Sequence, residues 1–83
     1  MKKYKLTEEF INVLGRKLYR IESLRGFGSV CKGSPGGYIE SEDNLAQAGE
    51  AWVFGEAQVS GEARVSGNAW VFGEAQVSGN ARV

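Results

Sequence analysis

The sequence predicts an all-β fold: a short parallel β-helix of two to three triangular coils, capped by an N-terminal β-hairpin. Three observations predict it. A hexapeptide recurs from Gly49 onward, reading GEAWVF, GEAQVS, GEARVS, GNAWVF, GEAQVS and GNARV. Its outer residues repeat at a spacing of 18: residues 51–65 and 69–83 agree at 14 of 15 positions. Nearer the N-terminus, two strand-like runs, Lys5 to Val13 and Lys17 to Leu24, flank a glycine.

Each repeat unit alternates as Ala-x-Val-x, so alanine and valine share one face of a short strand and the variable residues share the other. The Gly-Glu or Gly-Asn pair between units supplies the bend, because glycine accepts positive φ and asparagine tolerates it. The number of sides per turn follows from the variable positions. At a spacing of 12, Trp52 meets Arg64 and Phe54 meets Ser66; at 18, like meets like. Three six-residue sides therefore make one turn, with storeys about 4.8 Å apart. Trp52 and Phe54 lie under Trp70 and Phe72, Gln58 and Ser60 under Gln76 and Ser78, and Arg64 under Arg82.

Upstream, Gly37-Tyr38-Ile39 and Asp43-Asn44-Leu45 fall in register with Gly49-Glu50-Ala51, which points Ile39 and Leu45 inward at alanine positions. An irregular first coil is expected over 37–48, followed by full coils over 49–66 and 67–83. The hairpin turns near Leu14-Gly15-Arg16 and covers Ile39 and Leu45, since a solenoid needs its first coil capped. Residues 26–37, with five glycines and the only proline, read as a loop. The division is residues 1–36 for hairpin cap and Gly-rich loop, and 37–83 for the repeats, in one compact unit.

The stretch Val65-Ser66-Gly67-Asn68-Ala69-Trp70 resembles the hexapeptide-repeat family of left-handed parallel β-helices. The left hand and the triangular coil are what that resemblance implies. Gly15-Arg16-Lys17-Leu18-Tyr19-Arg20-Ile21-Glu22 and Gly36-Gly37-Tyr38-Ile39-Glu40 resemble small hexapeptide-repeat proteins of phages and prophages.

Composition narrows the function. Ten basic residues balance ten acidic ones in 83 residues, so there is no bulk attraction to nucleic acid or anionic membrane. No histidine is present, which removes the commonest general base and metal ligand. One cysteine forms no intrachain disulfide and fits a reducing compartment. No apolar run approaches a membrane span, and no signal-peptide core follows Met1. The reading is a cytoplasmic protein (host cytoplasm if phage-encoded), with no cofactor, no metal, no membrane and no nucleic-acid partner.

Candidate sites follow from what projects outward. Trp52, Phe54, Trp70 and Phe72 alternate with inward residues and form an aromatic side too large to stay uncovered. Its cover is the hairpin folded back, a protein interface with a second copy or with a target, or stacked bases or sugars. Val77, Val83 and Arg82 belong to an uncapped last coil, where a homodimer meeting end to end satisfies the open strand edge. Arg20, Arg25 and Lys32 are candidate phosphate contacts, although Lys32-Gly33-Ser34-Pro35-Gly36-Gly37 lacks P-loop spacing and reads as a connecting turn. Cys31 has no histidine to activate it and reads as a small buried hydrophobe. Glu50, Glu56, Glu62 and Glu74 read as exposed corners. The expected function is non-enzymatic binding of a host macromolecule, as in anti-CRISPR or other anti-defence inhibition. The alternatives are sequestration of a nucleotide signal, a phage-fibre β-helix fragment, and a degenerate hexapeptide acyltransferase.

Overall fold

The computed structural model describes residues 3–13, 15–27 and 30–83. Leu14 of the expected turn, and Gly28 and Ser29 of the expected loop, lie outside the described residues. The chain is mostly β, and the described residues contain no α-helix, only a single 3₁₀ turn at Glu42–Asn44. No helix among them is long and apolar enough to cross a membrane.

Strands β1 (Tyr4–Val13) and β2 (Arg16–Ser23) form the expected hairpin. They pair antiparallel from Tyr4 with Ser23 to Val13 with Arg16, and the register is interrupted between Leu6 and Phe10. Gly15, at φ +83°, takes a conformation the turn needs and other residues avoid. Strand β3 (Pro35–Ile39) pairs antiparallel with β2 and parallel with β5 (Gln58–Val59), which pairs parallel with β7 (Gln76–Val77). Hairpin and solenoid thus share one five-stranded sheet in the order β1-β2-β3-β5-β7. The hairpin continues one wall edge to edge, and its Tyr4 and Ile21 pack in the same core cluster as Ile39 and Leu45 of the first coil.

A second wall is β4 (Trp52–Val53) paired parallel with β6 (Trp70–Val71). The third is a column of isolated bridges, Leu45 with Val65 and Arg64 with Arg82. From Trp52 onward every pairing has the 18-residue spacing. Backbone bonds tie the storeys, such as Phe54 N to Val71 O at 2.6 Å and Glu62 N to Gly79 O at 2.9 Å. The ladders stay three separate strips and do not merge into closed coils.

The first coil corrects the expected phase. Ile39 pairs with Val59 and Leu45 with Val65, a spacing of 20. Ile39 and Leu45 therefore occupy valine positions, two residues from the predicted alanine ones. The corner between Leu45 and Ala51 is two residues longer than that between Val65 and Ala69. Asn44 makes the shifted fit work. Its Oδ1 accepts from Glu40 N at 3.1 Å and Ser41 N at 2.8 Å, while its Nδ2 donates to Gly61 O at 3.1 Å and Ala63 O at 2.8 Å. A buried amide with every main polar direction satisfied joins the two storeys as a backbone strand would.

Gly36 and Gly37 also differ from expectation. They are buried in β3, not in a loop. A Cβ on Gly36 would stand 2.7 Å from Val53 O, and one on Gly37 would stand 2.6 Å from Ala57 O. These glycines let β3 approach the next coil. The core above them is Ile39, Leu45, Ala51, Val53, Ala57, Val59, Ala63 and Val65, all fully buried.

Candidate functional site

The wall of β4 and β6 carries the four predicted aromatics, and the structure divides them. Trp52 is only 1% exposed, which leaves it almost no open surface to offer a partner. Its cover comes from the N-terminal segment. Tyr4 and Phe27 meet the indole edge-on, with ring centroids 6.1 Å and 5.3 Å away. Trp70, one storey up, is 47% exposed and Phe72 is 64% exposed. Phe54 sits between them, half-buried, and makes edge-on contacts with Trp70 at 5.7 Å and Phe72 at 6.4 Å. The surface that remains open is Phe54, Trp70 and Phe72, held on a parallel ladder.

Sequence reading missed the residue that fastens the cover. Lys3 is buried, and its Nζ donates to Ala51 O at 2.7 Å while lying 5.2 Å from the centre of the Phe27 ring. Ala51 O needs a donor because it is on the lower edge of its two-stranded ladder, where no further strand among the described residues lies beneath. Burial, with the positive Arg25 adding to it, lowers the Lys3 pKa to about 8. The Lys3 backbone N–H donates to Gln47 Oε1 at 2.7 Å, and Gln47 lies in the lengthened corner. The Tyr4 hydroxyl lies 2.5 Å from Leu45 O and 3.0 Å from Glu42 O. Burial, with help from Glu42 and Asp43, pushes its pKa up. No periodic signal marked Lys3 or Tyr4, because their hydrogen-bond partners are 38 to 48 residues away.

The other candidates separate. Arg20 is engaged on its own sheet: its guanidinium stacks 4.5 Å from the Tyr38 ring and donates to Tyr38 Oη, Gly36 O and Glu9. Arg25 lies over Phe27 at 5.3 Å, and Lys32 is exposed in a turn. The structure does not assemble these three into a phosphate cradle. Cys31 is exposed, contrary to its reading as a buried hydrophobe. Glu50, Glu56, Glu62 and Glu74 are exposed corners, as expected. Val77 is half-buried, and Val83 and Arg82 are exposed at the outermost storey. Arg82 and Arg64 line an open depression of about 670 Å³ on the third wall, together with Asp43, Glu62 and Asn80. Glu40 ties the lower corner, its Oε1 accepting from Gly61 N at 2.7 Å and from Arg16 at 2.9 Å, and these bonds lower its pKa.

Residues 57–73 and 75–83 match the YdcK β-solenoid repeat family. The later coils are therefore similar to that repeat. A curated relative, described as the uncharacterized acetyltransferase YdcK of Escherichia coli strain K12, is 34% identical over 87 residues, covering 83% of this chain. The chain spans about a quarter (26%) of that relative's length. These similarities lend no support to a phage origin.

Proposed function

We propose that this chain is a degenerate relative of the hexapeptide acyltransferase solenoids, keeping the left-handed coil as a rigid binding surface without turnover. The observation that carries the binding role is the exposed Phe54–Trp70–Phe72 surface on a wall whose lower storey is sealed. Large aromatics on a stiff ladder lose little entropy on docking, which suits them as anchors. The tie to acyl transfer rests on the relative's description as an acetyltransferase. The lack of turnover is inferred from a chain with no histidine to serve as base. Neither the repeat match nor the relative points to a defence protein as target.

Two measurements test this reading. Acetyl-coenzyme A incubated with the chain and amine or hydroxyl acceptors should release no free thiol above the buffer rate. Release that scales with protein concentration favours the catalytic alternative. Affinity capture with the wild-type chain and with Trp70→Ala/Phe72→Ala should retain partners in the first case only. Identical capture by both overturns the docking role of this wall.

A further inference from the structure

The lower storey of the aromatic wall shows what kind of chain it accepts. There the occupant is Lys3-Tyr4, a lysine beside an aromatic side chain, with Phe27 completing the cover. The hydrogen bond to Ala51 is particular to the ladder's lower edge. The aromatic outer face and its flanking acids, however, continue upward. Glu56 and Glu74 stand one storey apart at the corner beside Phe54 and Phe72, both exposed, and neither forms an ion pair among the described residues. Two like charges in one column repel. A cation between them and the rings relieves that repulsion and gains from the negative ring faces. The same pairing of cation and ring already recurs in this chain: Lys17 over Phe10 at 4.9 Å, Arg25 over Phe27 and Arg20 over Tyr38.

We propose that the Phe54–Trp70–Phe72 surface, with Glu56 and Glu74 beside it, docks a peptide segment that carries lysine or arginine next to an aromatic residue. This rests on the reading of the wall as a binding surface and names its partner. The segment extends the cover that Lys3 and Tyr4 provide one storey below. The rings take the aromatic side chain and the two carboxylates take the charge.

The test is fluorescence anisotropy of labelled synthetic hexapeptides against the full chain. One peptide alternates lysine with tyrosine, a second has glutamate for each lysine, and a third has alanine for each tyrosine. The first should bind about tenfold more tightly than either control. Its affinity should fall as salt rises from 50 to 500 mM, about the range over which exposed charges become screened. Trp70→Ala/Phe72→Ala, checked for fold by circular dichroism, should abolish binding. Glu56→Gln/Glu74→Gln, which leaves the rings in place, should weaken it and flatten the salt dependence. Equal binding of the lysine and glutamate peptides overturns the charge preference while leaving the wall a binding surface. Binding that survives both double variants places the peptide elsewhere, and absence of binding to every peptide also overturns the proposal. Self-association of the chain through Trp70 and Phe72, seen by light scattering, would assign the surface to a second copy instead.

Discussion

Trp52 and Trp70 occupy equivalent places in nearly identical sequence, one storey apart on the same wall. One is sealed and the other is half open. The repeat unit therefore does not determine how its outer residues are used. That is decided by what lies alongside. The lower storey has Lys3, Tyr4 and Phe27 against it; among the described residues the ring packed against Trp70 is that of Phe54. The same split runs through the core, where Ala57 is fully buried but its counterpart Ala75 is exposed. Identical residues serve as core in one coil and as surface in the next.

Substitution at the two tryptophans should separate the storeys most. Trp52→Ala removes a buried indole and should cost about 3–5 kcal/mol, enough to unfold much of a domain this small. Trp70→Ala should cost about 1 kcal/mol, mainly its edge contact with Phe54. Urea titration followed by circular dichroism measures both, and equal losses would erase the distinction. The corner glycines offer a second contrast. Gly49 and Gly67 both have positive φ, but a Cβ on Gly49 would stand 2.6 Å from Gly67 O, whereas one on Gly67 meets nothing within 4 Å. Gly67→Ala should cost about 1–2 kcal/mol for its backbone conformation alone, and Gly49→Ala should cost more because the strand above must move.

Lys3 sharpens the comparison through pH. Its folded pKa of about 8 lies below the ordinary 10.5, so between those values the unfolded chain binds more protons. Stability should therefore rise as pH increases from about 8 to 9.5, before tyrosine ionisation works against it. Lys3→Met should remove that rise, leaving a flat profile in thermal melts across the same range. The smallest effect is expected at Glu40, whose carboxylate supports Gly61 from below. Its lowered pKa stabilises the fold above the ordinary carboxylate range, and that contribution is lost as pH falls through it. Glu40→Gln should cost about 1 kcal/mol or less and shallow the acid limb of the same melts.

Much of this architecture was legible beforehand. The 18-residue turn could be read because outer residues on a parallel ladder stack on their own kind, and every pairing from Trp52 to Arg82 follows it. The hairpin could be read from strand-forming runs around Gly15. The phase of the first coil could not, because Ile39 and Leu45 suit alanine and valine positions equally, and the deciding feature is a longer corner stabilised by Asn44. Burial of Trp52 was open between two covers, since outward projection alone does not say what arrives there. Gly36 and Gly37 read as loop punctuation because close approach to a neighbouring strand leaves no mark distinct from flexibility.

Strand β3 has a consequence for how the molecule is assembled. One of its edges receives an antiparallel neighbour and the other a parallel one, so it converts a locally made ribbon into the footing for a stack. Hairpins close within a few residues, whereas parallel storeys require an 18-residue excursion before any bond is made. The ribbon is thus a starting platform, and each added lap has a finished edge waiting for it. Lengthening such a molecule needs only another lap of the same eighteen letters, with nothing beneath it redesigned.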